Sequence, residues 1–150
     1  MYLRAVVMRV SSASVEVEGT QVSAIGTGFL VLLGVTHTDT EQEAEKLASK
    51  ITGLRVFEDE SGKMNRSLEA VGGSLLVVSQ FTLYGNCKRG KRPEFLAAAR
   101  PDIAVVLYES FLSHCKMSGI PVEAGVFGAE MKVISVNDGP VTLLLDTDAL

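Results

Sequence analysis

Ser79, Gln80 and Thr82 form a polar run, Ser79-Gln80-Phe81-Thr82-Leu83, directly after the apolar Leu75-Leu76-Val77-Val78. A hydroxyl or amide beside a buried strand costs free energy unless it is hydrogen-bonded. The run therefore holds either satisfied core polars or groups kept for chemistry. Hydroxyl chemistry at Ser79 or Thr82 would be nucleophilic attack, which needs a base and a group to orient that base. His37 and His114 have no recognisable motif partner, and no Gly-x-Ser-x-Gly elbow is present. Lys88 and Lys91 lie in a polar loop. A protein-borne triad is not expected. Were an ester the substrate, the remaining physical means of hydrolysing it would be an oxyanion site of backbone donors and tight positioning, with the base supplied from elsewhere.

A second candidate is Asn137-Asp138-Gly139-Pro140-Val141-Thr142, between Met131-Lys132-Val133-Ile134-Ser135-Val136 and the apolar Leu143-Leu144-Leu145. Asn, Asp, Gly and Pro are ordinary turn residues, and proline removes a ladder donor. Local chemistry reads a turn joining two strands; exposed carbonyls that hold a protonated amine are the other reading. Phe127-Gly128-Ala129-Glu130-Met131 adds a small-residue kink before the last strands, and Gly62 to Ser67 is a polar loop. Both are rim candidates.

Between Gly85 and Arg100, Lys88, Arg89, Lys91, Arg92 and Arg100 face a single acid, Glu94. The formal net charge of −4 argues against a broad nucleic-acid coat. The cluster reads either as a solvated loop or as a site for a few phosphates at a nucleic-acid end; it is too small for a long tract. Cys87 and Cys115 lack Cys-x-x-Cys spacing, and the histidines lack His-x-x-x-His context, so no metal site is expected. Cys115 fits the apolar face of a helix and Cys87 a polar loop.

The elements that must position these groups follow from periodicity. Ala5 to Val10, Val15 with Val17, and Val22 with Ile25 read as strands, and Phe29 to Val35 as a strand covered on both faces. A helix follows, opened by a capping box at Asp39/Gln42 or Thr40/Glu43 and buried through Ala44, Leu47, Ala48 and Ile51. Leu54-Arg55-Val56-Phe57 returns to strand and Glu58 to Ser67 is a loop. The densest strand signal runs from Gly72 to Tyr84, with Gln80 and Thr82 on one face and Ser79 and Phe81 on the other. Helix patterning runs from Glu94 to Gly119, with Pro101 as a break or first-turn residue, Ala104, Leu107, Tyr108, Phe111, Leu112 and Cys115 on the packing face and Gly119 as the cap. With 47% hydrophobic and 21% charged residues, the 150 residues read as one α/β domain, 1–150. It is a curled mixed, barrel-like sheet packed by two main helices. The apolar runs fall short of the roughly 20 residues of a membrane span, and the opening stretch carries Arg4 and Arg9, unlike a signal peptide. A cytoplasmic protein without membrane contact is expected.

Taken in order along the whole chain, these stretches resemble the D-aminoacyl-tRNA deacylase (D-tyrosyl-tRNA(Tyr) deacylase) family. Ser-Gln-x-x-Thr matches at Ser79, Gln80 and Thr82, and Asn-x-Gly-Pro-x-Thr at Asn137, Gly139, Pro140 and Thr142. The resemblance implies a cofactor-free hydrolase that cleaves D-amino acids, and glycine, from the 3′ end of aminoacyl-tRNA. It implies a homodimer in which a cis Gly139–Pro140 pair reaches into the partner's site and rejects L-amino acids. Backbone N–H groups around Gln80 and Phe81 would hold the oxyanion, with Ser79 and Thr82 in the same motif. Thr82 as nucleophile competes with water activated by the tRNA 2′-hydroxyl. Asn137, Val141, Thr142, Phe127 and Met131 would bind substrate, and Lys88, Arg89, Lys91 and Arg92 would meet tRNA phosphates. One departure is Asn86-Cys87, where the family often has Asp-Thr; it bears on acceptor-stem contacts.

Overall fold

A computed structural model describes residues 2–150. Its spine is β1 (Arg4–Val17), whose early residues alternate, with Ala5, Val7 and Arg9 buried and Val6 and Met8 half-buried. The phase then shifts, since Val10 follows Arg9 into the interior, with Ala13 and Val15 after it. β2 (Thr20–Ile25) pairs antiparallel with the second half of β1, and β3 (Gly28–Gly34) with the first half. Helix α1 (Glu41–Gly53) starts at the Thr40/Glu43 capping box, the second of the two expected pairs. A small hairpin of β4 (Phe57–Glu58) and β5 (Met64–Arg66) and the one-turn α2 (Leu68–Val71) lead to β6 (Ser74–Ser79), which runs parallel to β3.

Helix α3 (Pro101–Met117) has Pro101 in its first turn, and Gly119, at φ 86°, closes it. β7 (Val122–Ala124) adds a parallel edge to β6, and β8 (Lys132–Asp146) returns along the whole of β1. The six strands curl into a nearly closed mixed barrel. One core lies between its outer face and the two long helices, where Leu47, Ile51, Leu107 and Phe111 pack on Val7, Phe29, Val31 and Leu75. The other fills the inner face with Val10, Val15, Leu30, Leu76 and Val78. Cys115 lies in the helical core, where burial pushes its thiol up to about 12; Cys87 is exposed. No helix among the described residues is long and apolar enough to cross a membrane.

Three local expectations are corrected. β6 stops at Ser79 rather than Tyr84, and Phe81–Tyr84 form a 3-10 turn, so no strand alternation assigns Gln80 and Thr82 to one face. The last ladder bond runs from Gln80 N–H to Leu33 O at 2.7 Å, after which the chain folds back over Gly34. The Asn137–Thr142 stretch does not join two strands; it lies within the single strand β8, because β1 is long enough to pair with both halves. Finally, Leu54 to Phe57 yields only the two-residue β4, and the following loop contains β5.

Candidate active site

The fold-back after Ser79 is braced from several sides. A Cβ on Gly34 would stand 2.9 Å from the Tyr84 ring and 3.1 Å from Gln80 O, so only glycine lets the turn rest on β3. The Tyr84 hydroxyl donates to Gly34 O at 3.2 Å and also to Tyr2 O. The Arg4 guanidinium sits 4.9 Å over the Tyr84 ring and donates to Leu83 O at 3.1 Å. Asp146 holds Arg4 in place through Nε at 2.9 Å. Gln80 spends its N–H on Leu33, so the donors left at the head of the turn are those of Phe81 and Thr82, which precede its first internal hydrogen bond. The Gln80 side-chain amide donates to the Thr82 hydroxyl.

This turn borders a cavity of about 700 Å3. Ser79, Gln80 and Phe81 form one side, and Phe127, Met131 and Val133 another. The third side is Ala98, Ala99, Ala104 and Tyr108. Phe81 is exposed and meets Phe95 edge-on at 5.2 Å. Tyr108 lies 5.6 Å from the Phe127 ring and donates to Val77 O at 2.9 Å; burial pushes its hydroxyl up to about 12, so it stays a neutral donor. The alanine wall is clamped from outside. Ala99 N–H donates to Val35 O at 2.9 Å, the Thr36 hydroxyl to Ala97 O, and His37 Nε2 to Leu96 O at 2.6 Å. The Thr36 N–H in turn donates to the Asp39 carboxylate at 2.7 Å. Burial, with Glu43 and Asp146 nearby, pushes Asp39 up to about 6.

An apolar cavity beside free backbone donors suits a planar ring and a carbonyl becoming an oxyanion. None of the described residues that line it is a carboxylate or an imidazole. His37 is engaged with Leu96, and His114 faces Glu41 at 3.6 Å between α1 and α3. No group of three or more His, Cys, Asp or Glu among the described residues is arranged to hold a metal ion.

The other expected site residues lie elsewhere. Pairing of β8 with β1 jumps from Thr142–Met8 to Asn137–Val10, so residues 138–141 stand against Arg9 alone. Asn137 closes the neck of this excursion, donating from Nδ2 to the Thr142 hydroxyl at 2.9 Å and accepting from Val141 N–H at 3.1 Å. The buried Arg9 supports it from beneath, with Nε donating to Asp138 O at 3.0 Å and Nη1 to Val56 O at 2.7 Å. Gly139 has φ 129°, and a Cβ there would come within 2.9 Å of Val141 Cγ2 and 3.0 Å of Arg9 Nη2. The Gly139–Pro140 bond is cis, and both residues are exposed. Asn137, Gly139, Pro140, Val141 and Thr142 do not line the cavity. From Val133, at its edge, to Gly139 there is about 20 Å of strand. Lys88, Arg89, Lys91 and Arg92 also stand away, exposed on an arm closed by Asn86 and Glu94, whose backbones exchange hydrogen bonds of 2.8 and 3.0 Å.

Comparison with known proteins decides what this arrangement belongs to. The family model described as D-Tyr-tRNA(Tyr) deacylase matches residues 6–146. A D-aminoacyl-tRNA deacylase of Thermus aquaticus is 59% identical over 97% of this chain and 95% of its own length. One from Desulfatibacillum aliphaticivorans is 57% identical over 97% and 99%. The chain belongs to the D-aminoacyl-tRNA deacylase family. Among solved structures, one titled c-Myc DNA Unwinding Element Binding Protein superposes with a TM-score of 0.89 at 46% identity, over 95% of this chain and 97% of that one. Another, titled as a probable eukaryotic D-amino acid tRNA deacylase, gives 0.83 at 18% identity over 97% and 100%, a likeness of fold.

Within this deacylase chain, sequence reasoning passed over Phe95, Ala98, Ala99 and Tyr108, and the braces Arg4 and Arg9. Arg9 left a signal. It continues the inward series Ala5, Val7 along β1, and an arginine at a core position needs partners. The alanine wall left none, because its contribution depends on how Thr36 and His37 hold it.

Proposed function

We propose that this protein hydrolyses the ester joining a D-amino acid to the 3′-terminal adenosine of tRNA, releasing free tRNA and the amino acid. The observation that carries the proposal is the braced Ser79–Tyr84 turn, with free Phe81 and Thr82 donors, at the edge of an apolar cavity in a chain of this family. The adenine enters the slot beside Phe127 and Met131. Water adds to the ester carbonyl carbon, the turn's donors stabilise the oxyanion, and the C–O bond to the ribose then breaks as that oxygen takes a proton. None of the described residues lining the cavity is a carboxylate or an imidazole, so the terminal 2′-hydroxyl of the tRNA is the group proposed to activate the water. Thr82 accepts from Gln80 and has no base beside it, which favours water over a threonine nucleophile.

Chiral selection is assigned to Gly139–Pro140 of the second subunit of a homodimer. Their carbonyls fix the α-amino group, so an L side chain would run into protein, while D-amino acids and glycine fit. Two observations support this reading. The excursion stands outside its own chain's cavity, and Ile134, Val136 and Leu144 leave exposed apolar side chains along β8. Asn137, Val141 and Thr142 shape the excursion, and Lys88, Arg89, Lys91 and Arg92 meet phosphates of the acceptor strand in the cytoplasm. The test is deacylation of matched D- and L-aminoacyl-tRNA. Rapid loss of the D-ester, sparing of the L-ester and near-normal activity of Thr82→Ala are expected. Equal hydrolysis of both would refute chiral rejection, and hydrolysis of neither would leave a protein that only binds the tRNA end.

A further inference from the structure

Among the described residues that line the cavity, Arg100 alone carries a charge. It precedes Pro101, the first residue of α3, and its side chain is 77% exposed at the cavity's edge. Its Nε lies 3.6 Å from Asp102 Oδ1, and no hydrogen bond among the described residues engages its two terminal nitrogens. Pro101 has no N–H, so at this edge donors must come from the guanidinium more than from the first helical residue. The cationic arm is a separate feature, since Lys88, Arg89, Lys91 and Arg92 lie outside the lining.

A nucleoside at the 3′ end of a polynucleotide carries one anion directly attached to it, the phosphodiester on its 5′ oxygen. One cation at the edge of an otherwise uncharged cavity matches that single anion. Two terminal nitrogens in a planar fork suit two phosphate oxygens. The positive end of a 17-residue helix adds to the same potential. Resting on the deacylase reading, we propose that Arg100 binds the 5′-phosphate of the terminal nucleotide, a subsite distinct from the arm. It holds the ribose in register with the Phe81–Tyr84 turn. The arm takes phosphates further along the strand.

A ladder of D-aminoacyl esters tests this: on adenosine, on adenosine 5′-monophosphate and on tRNA. For the wild type, the 5′-phosphate should raise kcat/KM about tenfold or more, the range of a charge-assisted contact. In Arg100→Ala that ratio falls to about one, and Arg100→Lys restores part of it. A Lys88→Ala/Arg89→Ala/Lys91→Ala/Arg92→Ala variant keeps the ratio and loses only the further gain on tRNA. The salt dependence of tRNA binding by Arg100→Ala should flatten by about one unit of log–log slope. A ratio that survives Arg100→Ala overturns the subsite. Hydrolysis of all three esters by the wild type with no phosphate gain refutes the subsite alone, whereas hydrolysis of none refutes the deacylase reading beneath it.

Discussion

At the Phe81–Tyr84 turn, neighbours on three strands contribute braces: Leu33 and Gly34 of β3, Arg4 of β1 and Asp146 of β8. The 138–141 excursion also interrupts a strand, yet it is held only at its neck by Asn137 and Thr142 and from beneath by Arg9. The turn faces a cavity that its own chain closes; the excursion's outer side faces solvent. Donors fixed by buried packing suit transition-state stabilisation, because they need no rearrangement as charge develops. A firm neck under an exposed tip suits presentation of backbone to something outside the chain. The two regions thus share a precision of support but differ in where their target lies.

Substitutions should separate them. The largest effect is expected at Gly139→Ala, where the new Cβ meets Val141 and the Arg9 guanidinium at a φ that L-residues rarely adopt. Displacing the tip by about 1 Å should lower kcat/KM for D-aminoacyl-tRNA by about a hundredfold. The strained φ and the clash with the buried Arg9 should also lower the melting temperature by a few degrees; wild-type turnover would remove the excursion from the site. Arg4→Ala should shift the balance toward stability. Loss of its hydrogen bond to Leu83, its pair with Asp146 and its stacking on Tyr84 should cost about 1–3 kcal/mol of stability. Activity should fall about tenfold as the turn loosens, and urea midpoints beside kcat/KM read both. Stability lost without activity would make the brace structural only.

The smallest effect concerns the alanine wall. Asp39 titrates at about 6 in the folded chain against 3.8 unfolded. The folded state therefore binds the extra proton between these values, and this group's contribution to stability falls as pH rises from about 4 to about 6. Asp39→Asn still offers an oxygen to the Thr36 N–H, and should flatten the pH dependence of the melting temperature across that window. An unchanged slope would assign the titration to another group.

The helices were legible because their signals are local. Thr40 and Glu43 open α1, Pro101 and Gly119 bracket α3, and the buried faces recur at helical spacing. The barrel-like mixed sheet followed from short strands around those helices and from the family resemblance. The 3-10 turn was not legible, since Phe81, Thr82 and Tyr84 are good strand formers and only Gly34, far away in sequence, lets the chain fold back. The unity of β8 was hidden for a similar reason. Gly139-Pro140 reads locally as a stop, but pairing resumes because β1 supplies partners on both sides of Arg9. The residues that shape the site are thus the ones whose roles depend on contacts distant in sequence.

Subunit complementation tests the shared site most directly. Ala104→Trp fills the cavity, and Gly139→Ala disables the excursion, so each protein alone should be nearly inactive. Mixed and allowed to exchange subunits, they should recover about a quarter of wild-type D-aminoacyl-tRNA deacylation, since half of randomly paired dimers hold one intact site of two. No recovery, with heterodimers demonstrated by mass, would contradict a site built from both subunits.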